Sequence, residues 1–259
     1  MIYITGDCHG DFRRFSSKIF PEQKEMTYDD FVIICGDFGG IWSENPKYIN
    51  KENYWLDWLN NKSFTTLFID GNHENFHRLR TDFPLVDFHG GKAHQIRDHV
   101  FHLERGYIFN IDGKNIFAFG GASSHDIDDG ILDPAVFENS TKFTAARQRM
   151  DKQHKMYRIK NISWWEEELP SEEEMQRGVD SLANVNNEVD FVITHCAPQE
   201  ICSIISAGIY KPDIQTMYFN SLLYDHHVKF TKWFFGHYHD NRQIMSKFIE
   251  LYEQIIRIN

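Results

Sequence analysis

Ile2-Tyr3-Ile4-Thr5-Gly6-Asp7-Cys8-His9-Gly10 sets a pattern that the rest of the chain repeats. Four β-branched or aromatic residues favour a strand. A glycine ends it, and an acid and an imidazole follow at once. Residues 31–35 run in the same way into Gly36-Asp37, residues 64–70 into Gly71-Asn72-His73-Glu74, and residues 115–119 into Gly120-Gly121. Farther on, residues 190–194 stop at His195, and residues 232–235 stop at Gly236-His237-Tyr238-His239. Runs so short and so apolar read as strands buried on both faces. Polar residues gather at their C-terminal ends, where open α/β sheets place ligands. A layered α/β domain is expected.

Between these runs, residues 50–60 carry Trp55, Leu56 and Leu59 on one side and read as a helix. Ser171 and Glu174 form the pattern of a capping box ahead of an apolar stripe at Met175, Val179 and Leu182. Residues 85–111 read as two or three strands with glycine turns, at 94–96, 100–103 and 107–111. The tail from 242 to 258 reads as strands. Residues 123–160 differ from the rest: they are polar, then rich in Lys and Arg, and read as an insertion over the strand ends, helical from about 144 to 157. No repeat or linker interrupts the chain, so residues 1–259 are expected to form one domain with this cap-like segment.

Composition supports a buried core, with 22 Phe, 11 Tyr and 6 Trp among 259 residues. The net charge of -11 comes without a basic stripe, which argues against general nucleic-acid binding. The acidic run of Glu166 to Glu168 and Glu172 to Glu174 reads as a solvated helix face. The four cysteines, Cys8, Cys35, Cys196 and Cys202, suit neither a disulfide framework nor a zinc knuckle and read as buried, reduced thiols. Residue 1 runs straight into a strand without a basic or apolar leader, and no apolar run is long enough to span a bilayer. A cytoplasmic protein is expected.

The strand-end residues carry the chemistry. Carboxylate, imidazole and amide donors suit Mn, Fe, Zn or similar ions. Side chains two apart in extended chain point to one side, so Asp7-x-His9 and His237-x-His239 can each aim both members into a cleft. With 14 His in the chain a single His-x-His means little. Five such groups, each directly after an apolar run, mean more.

Gly6-Asp7-Cys8-His9-Gly10, Gly36-Asp37, Gly71-Asn72-His73-Glu74, Thr194-His195 and Gly236-His237-Tyr238-His239 resemble, in order, the five blocks of the calcineurin-like metallophosphoesterases. The resemblance runs from residue 6 to residue 239 and leaves out the inserted segment. It implies a four-layer αββα sandwich of two mixed sheets, with a metal site at strand C-terminal ends. It also implies hydrolysis of phosphomonoesters or phosphodiesters by a hydroxide held between two divalent ions, Mn first, with Fe, Zn, Ni or Co as alternatives. One ion would be held by Asp7, His9, Asp37 and His239, the other by Asp37, Asn72, His195 and His237, with Asp37 bridging. His73 would protonate the leaving oxygen or stabilise the transition state, with Glu74 orienting it. The expected substrate is small and phosphorylated, or a nucleotide, met by Asn72 and His73.

The chain also departs from the family. The Ser/Thr phosphatase branch follows its Gly-Asp with Val-Asp-Arg-Gly, whereas this chain reads Gly36-Asp37-Phe38-Gly39-Gly40-Ile41-Trp42 and lacks both of the charged groups. Substrate contacts are therefore expected from the insertion, which carries His125, Arg147, Arg149 and Arg158, although these also read as surface charge. Trp164-Trp165 reads as core or lid packing rather than a base-stacking platform. Two other readings stay open: a nuclease of the same superfamily, and a non-catalytic metal-binding scaffold.

Overall fold

Side chains alternate along a strand, and in β1 (Ile2–Thr5) both faces are apolar and buried. Such a strand needs cover on two sides, and the computed structural model, which describes residues 1–258, supplies it with two sheets and flanking helices. In chain order the first half holds β1, β2 (Phe31–Ile34), α1 (Pro46–Asn60), β3 (Thr65–Phe68), α2 (Phe76–Thr81), β4 (Leu85–Phe88), β5 (Gly91–Arg97), β6 (Val100–Leu103), β7 (Tyr107–Ile111) and β8 (Lys114–Phe119). The inserted segment holds β9 (Ile131–Leu132), α3 (Ser140–Lys152) and β10 (Arg158–Ile159). There follow α4 (Glu172–Ala183), β11 (Phe191–Thr194), α5 (Gln199–Ile205), α6 (Ile214–Tyr224), β12 (Lys232–Phe235), β13 (Arg242–Ile244), β14 (Phe248–Glu250) and β15 (Ile255–Arg257).

The first sheet has the order β15-β1-β2-β3-β6-β5-β4, and the second β13-β14-β12-β11-β8-β7. Both are mixed. The central strands β1, β2, β3 and β6 are parallel, as are β8, β11, β12 and β14, and antiparallel strands close the edges. Alternation then sorts the side chains into three cores. Ile4, Ile33 and Leu67 meet Ile116, Ala118 and Ile193 between the sheets. Tyr3, Val32 and Phe68 face Leu56 and Leu59 of α1. Phe117, Val192 and Trp233 face Leu182 of α4 and Phe219 of α6. The result is the four-layer αββα arrangement, and it brings the C-terminal ends of two sets of parallel strands together.

Several local expectations shift in extent. The first helix begins four residues earlier than expected, at Pro46, because Asn45 caps it by accepting from the Lys47 N–H at 3.0 Å and proline suits the first helical position. The insertion's helix spans 140–152, capped by Asn139, and stops before Tyr157. The capping box of Ser171 and Glu174 forms. The acidic run is only in part a solvated face: Glu166, Glu172 and Glu173 are exposed, whereas Glu168 and Glu174 are buried. Glu174 pairs with Arg80 at 2.8 Å and with the buried Arg105 at 3.3 Å, so ion pairing offsets the cost of taking its carboxylate from water, while Glu168 accepts from Ser124 Oγ at 2.7 Å. Trp165 is buried against Trp42, ring centroids 5.2 Å apart, as core packing. All four cysteines are free and buried. Among the described residues no helix is long and apolar enough to cross a membrane.

Candidate metal centre

Asp7 and His9 leave β1, Asp37 leaves β2, Asn72 and His73 follow β3, His195 leaves β11, and His237 and His239 follow β12. Every one lies past the C-terminal end of a parallel strand, so the two sheets aim them into one crevice. The turns themselves do the aiming. His9, Asp37, His237 and His239 have φ of 47°, 43°, 71° and 56°, the left-handed region that non-glycine residues seldom adopt. The extended-chain argument for Asp7-x-His9 and His237-x-His239 is therefore replaced by a tight turn in each loop. Strained backbone of this kind is held by its surroundings and collects at functional sites. Here the surroundings are the neighbouring loops. The His237 N–H donates to Asp7 Oδ1 at 3.0 Å and the His73 N–H to Asp37 Oδ1 at 2.8 Å, while Asp37 O accepts from the Cys8 and His9 N–H groups. Such close approach requires glycine: a Cβ on Gly71 would overlap Asp37 Oδ1, and one on Gly236 would overlap Asp7 Oδ1.

Asp7, His9, Asp37 and His239 each offer one donor atom, all within 4.8 Å of one another. His239 Nε2 lies 3.1 Å from Asp7 Oδ2, and His9 Nε2 lies 3.7 Å from Asp37 Oδ2. On the other side of Asp37, His195 Nε2 is 3.3 Å from Asp37 Oδ1, and the His195 and His237 ring centroids are 4.9 Å apart. His195 Nδ1 is 2.7 Å from the Cys35 carbonyl, which fixes the proton there and leaves Nε2 as a lone pair. That Nε2 and Asn72 Oδ1 are both buried without a hydrogen-bond partner. Buried polar atoms are rarely left unpaired, and a divalent cation satisfies both.

Electrostatics agree. Burial pushes the Asp37 carboxyl up, but His195, His73 and His9 outweigh it and hold the group well below the usual carboxylate range. Burial lowers His195, yet Asp37 and Asp7 outweigh that and raise it to about 9. The field that would hold a proton on His195 would equally hold a cation. His9 and His237 are both lowered, first by burial, so their imidazoles stay neutral and free to ligate.

Above this floor is a cavity of about 190 Å³ lined by Asp37, Asn72, His73, His125, Asp126, Arg158, His237 and His239. The insertion thus reaches the site through His125, Asp126 and Arg158. Arg158 is fixed by three contacts: Nε to Asp126 at 2.6 Å, Nη1 to the Ser163 carbonyl at 3.0 Å, and Nη2 to His73 Nε2 at 3.1 Å. Guanidinium has no acceptor, so His73 Nε2 accepts and its proton sits on Nδ1. Burial, more than Arg158, lowers His73 to about 4. Arg147 does not line this cavity; it is exposed on α3, 3.9 Å from Asp151, and Arg149 is exposed on the same helix. Nor does Glu74 orient His73. Its Oε1 accepts from the Phe38 and Gly39 N–H groups at 2.7 and 3.4 Å and so shapes the loop after Asp37.

Two supporting residues carry no signal in the sequence. Ser124 donates through N–H and Oγ–H to Glu168 Oε2, at 3.2 and 2.7 Å, so its Oγ is left to accept from Asn72 Nδ2 at 3.3 Å. That bond commits Asn72 Nδ2 to Ser124 and leaves Oδ1 unpartnered.

A family model for the calcineurin-like phosphoesterases matches residues 1–241. The chain is 25% identical over 171 residues to lariat debranching enzyme A of Xenopus laevis, a match covering 61% of this chain and 30% of that protein. The chain therefore spans under a third of that relative's length. Among solved structures, the phosphopantetheinyl hydrolase of Mycobacterium tuberculosis aligns over 97% of this chain and 89% of its own, at 13% identity and a TM-score of 0.38. With the family model spanning nearly the whole sequence, the chain belongs to the calcineurin-like phosphoesterases, a family of metal-dependent hydrolases.

Proposed function

We propose that this protein hydrolyses small phosphate mono- or diesters at a centre of two divalent ions, with Mn the first candidate. The observation that carries the reading is the pair of buried, unpartnered donors, Asn72 Oδ1 and His195 Nε2, beside the four-residue group of Asp7, His9, Asp37 and His239. Asp7, His9, Asp37 and His239 would hold one ion; Asp37, Asn72, His195 and His237 would hold the other. Ions so held acidify a bound water and neutralise phosphoryl oxygens. Around them the chain binds and orients the ester. Arg158 presents N–H donors to a phosphoryl oxygen in the cavity, and its ties to Asp126 and Ser163 keep that orientation in place. His73 holds Arg158 from the other side; an ester that draws Arg158 to its own oxygens leaves the Nε2 lone pair free to take a proton from solvent and pass it to the departing oxygen. The net charge of -11, with no basic groove, favours a small substrate over nucleic acid. We read the compartment as cytoplasmic, in keeping with four buried free thiols.

Protein loaded with Mn should cleave 4-nitrophenyl phosphate or its bis-ester. His73→Ala and Asp37→Asn should each lower kcat/KM by roughly 10²-fold or more, and a chelator should abolish turnover. Full metal uptake with no ester cleaved would favour a scaffold, and cleavage confined to labelled DNA or RNA would favour a nuclease.

A further inference from the structure

A second cavity, of about 410 Å³, opens on the other side of His9 and is walled by Phe12, Trp42, Tyr48 and Trp55, with Lys51 at its edge. It adjoins the metal centre through two rings. His9 lies 5.0 Å from His73 and 5.1 Å from His239, and Trp42 lies 6.0 Å from His73, between ring centroids. A phosphoryl group seated over the metal ligands would therefore have this cavity beside it.

We propose that the cavity is the subsite for the organic part of the ester and that it takes a planar aromatic group of nucleoside size. The proposal rests on the phosphoesterase reading above. Three observations carry it. First, the walls are aromatic and incompletely packed: Tyr48 is 56% exposed on the first turn of α1, and Trp42 is only half-buried. Flat faces left open to water are suited to stacking against a flat ligand.

Second, the wall is rigid before any ligand arrives. Glu52 Oε1 accepts from the Trp42 and Ser43 N–H groups at 3.1 and 2.7 Å, Glu52 Oε2 pairs with Arg78 at 2.6 Å, and Arg78 donates to the Ser43 carbonyl at 2.6 Å. These bonds occupy Glu52. Lys51, by contrast, has no hydrogen-bond or ion-pair partner among the described residues, so the free charge at this cavity is a cation, suited to a ring bearing acceptor atoms. Third, the volume falls in the range of small-molecule sites, about 300–1,000 Å³. A phosphoryl group alone would need only the smaller cavity.

Adenosine 5′-monophosphate and ribose 5-phosphate present the same ester linkage and differ in the base, which makes them the probes. With the Mn-loaded protein, kcat/KM should favour the nucleotide by about 10-fold or more, through KM, and Trp42→Ala and Tyr48→Ala should each draw the ratio toward one. Tyr48 is exposed, so that variant tests the idea even where Trp42→Ala fails to fold. Tryptophan fluorescence gives a readout independent of turnover: the nucleotide should quench it and the sugar phosphate should not. Equal kcat/KM for the two probes together with no differential quenching overturns the subsite. Quenching by the nucleotide without hydrolysis of any ester overturns the phosphoesterase reading and leaves the aromatic subsite standing.

Discussion

Ser124→Ala tests how the second half of the metal centre is oriented. The change removes the acceptor of the Asn72 Nδ2 bond at 3.3 Å and one of the two donors to Glu168 Oε2, keeping the backbone donor at 3.2 Å. Losing these two hydrogen bonds, at about 1 kcal/mol each, costs about 2 kcal/mol. For a chain of this size that lowers Tm by about 4–8 °C. The larger consequence falls on metal binding. Without Ser124 Oγ nothing distinguishes Oδ1 from Nδ2, and the amide can turn its non-ligating end inward. Removing a partner that orients a ligand typically weakens metal binding 10- to 100-fold, and this long, neutral bond belongs near the lower bound. Stepwise Mn binding, measured by calorimetry or chelator competition, should show one Kd raised about 10-fold. The other should change less than about 2-fold, because Asp7, His9 and His239 do not touch Ser124. Equal weakening of both sites, or none in either, refutes the reasoning.

Two further outcomes follow from other contacts. Arg158→Lys cannot keep three separate contacts from one planar group; kcat/KM should fall roughly 10- to 100-fold, the value of a charge-assisted hydrogen bond, with metal content unchanged in elemental analysis. The second concerns pH and the pair of His94 Nε2 and Glu104 Oε1 at 3.1 Å. Burial lowers His94, but the bond to Glu104 outweighs it and the folded pKa is raised; burial raises Glu104, but the bond to His94 brings it down to about 2. The histidine's contribution is complete below its unfolded value of about 6.5 and is lost as pH rises through the folded one, while the carboxylate's is lost only as pH falls from about 4.3 toward its folded value. The Tm cost of Glu104→Gln should therefore be largest near pH 5.5 and smaller at pH 9, and a cost independent of pH across that span would count against the pairing.

What could be read in advance follows from how local each signal is. A strand buried on both faces must be an unbroken apolar run, so β1, β2, β3, β11 and β12 announce themselves, and residues such as Asp7, Asp37 and His195 directly after such runs stand out. The capping box of α4 is equally local, closing within three residues of Ser171. Longer-range facts leave no such trace. Glu168 and Glu174 look like solvated charges until Ser124 and Arg105, distant in the chain, are folded against them. Arg147 and Arg158 were equivalent as basic residues of an insertion; that α3 turns one to solvent while β10 delivers the other to His73 depends on where the segment lies.

By itself the sequence determined the strand pattern and the polar residues at the strand ends, because burial, helix capping and metal affinity act through residue type and short spacing; the αββα layering and the ligand set were implied by the family resemblance. Only tertiary structure decided which donors lack a partner, which arginine lines the cavity beside His73, and that Trp42, Tyr48 and Trp55 wall a second cavity beside His9. Those outcomes depend on distances between segments many residues apart, which follow from packing three cores at once and not from any single stretch of chain.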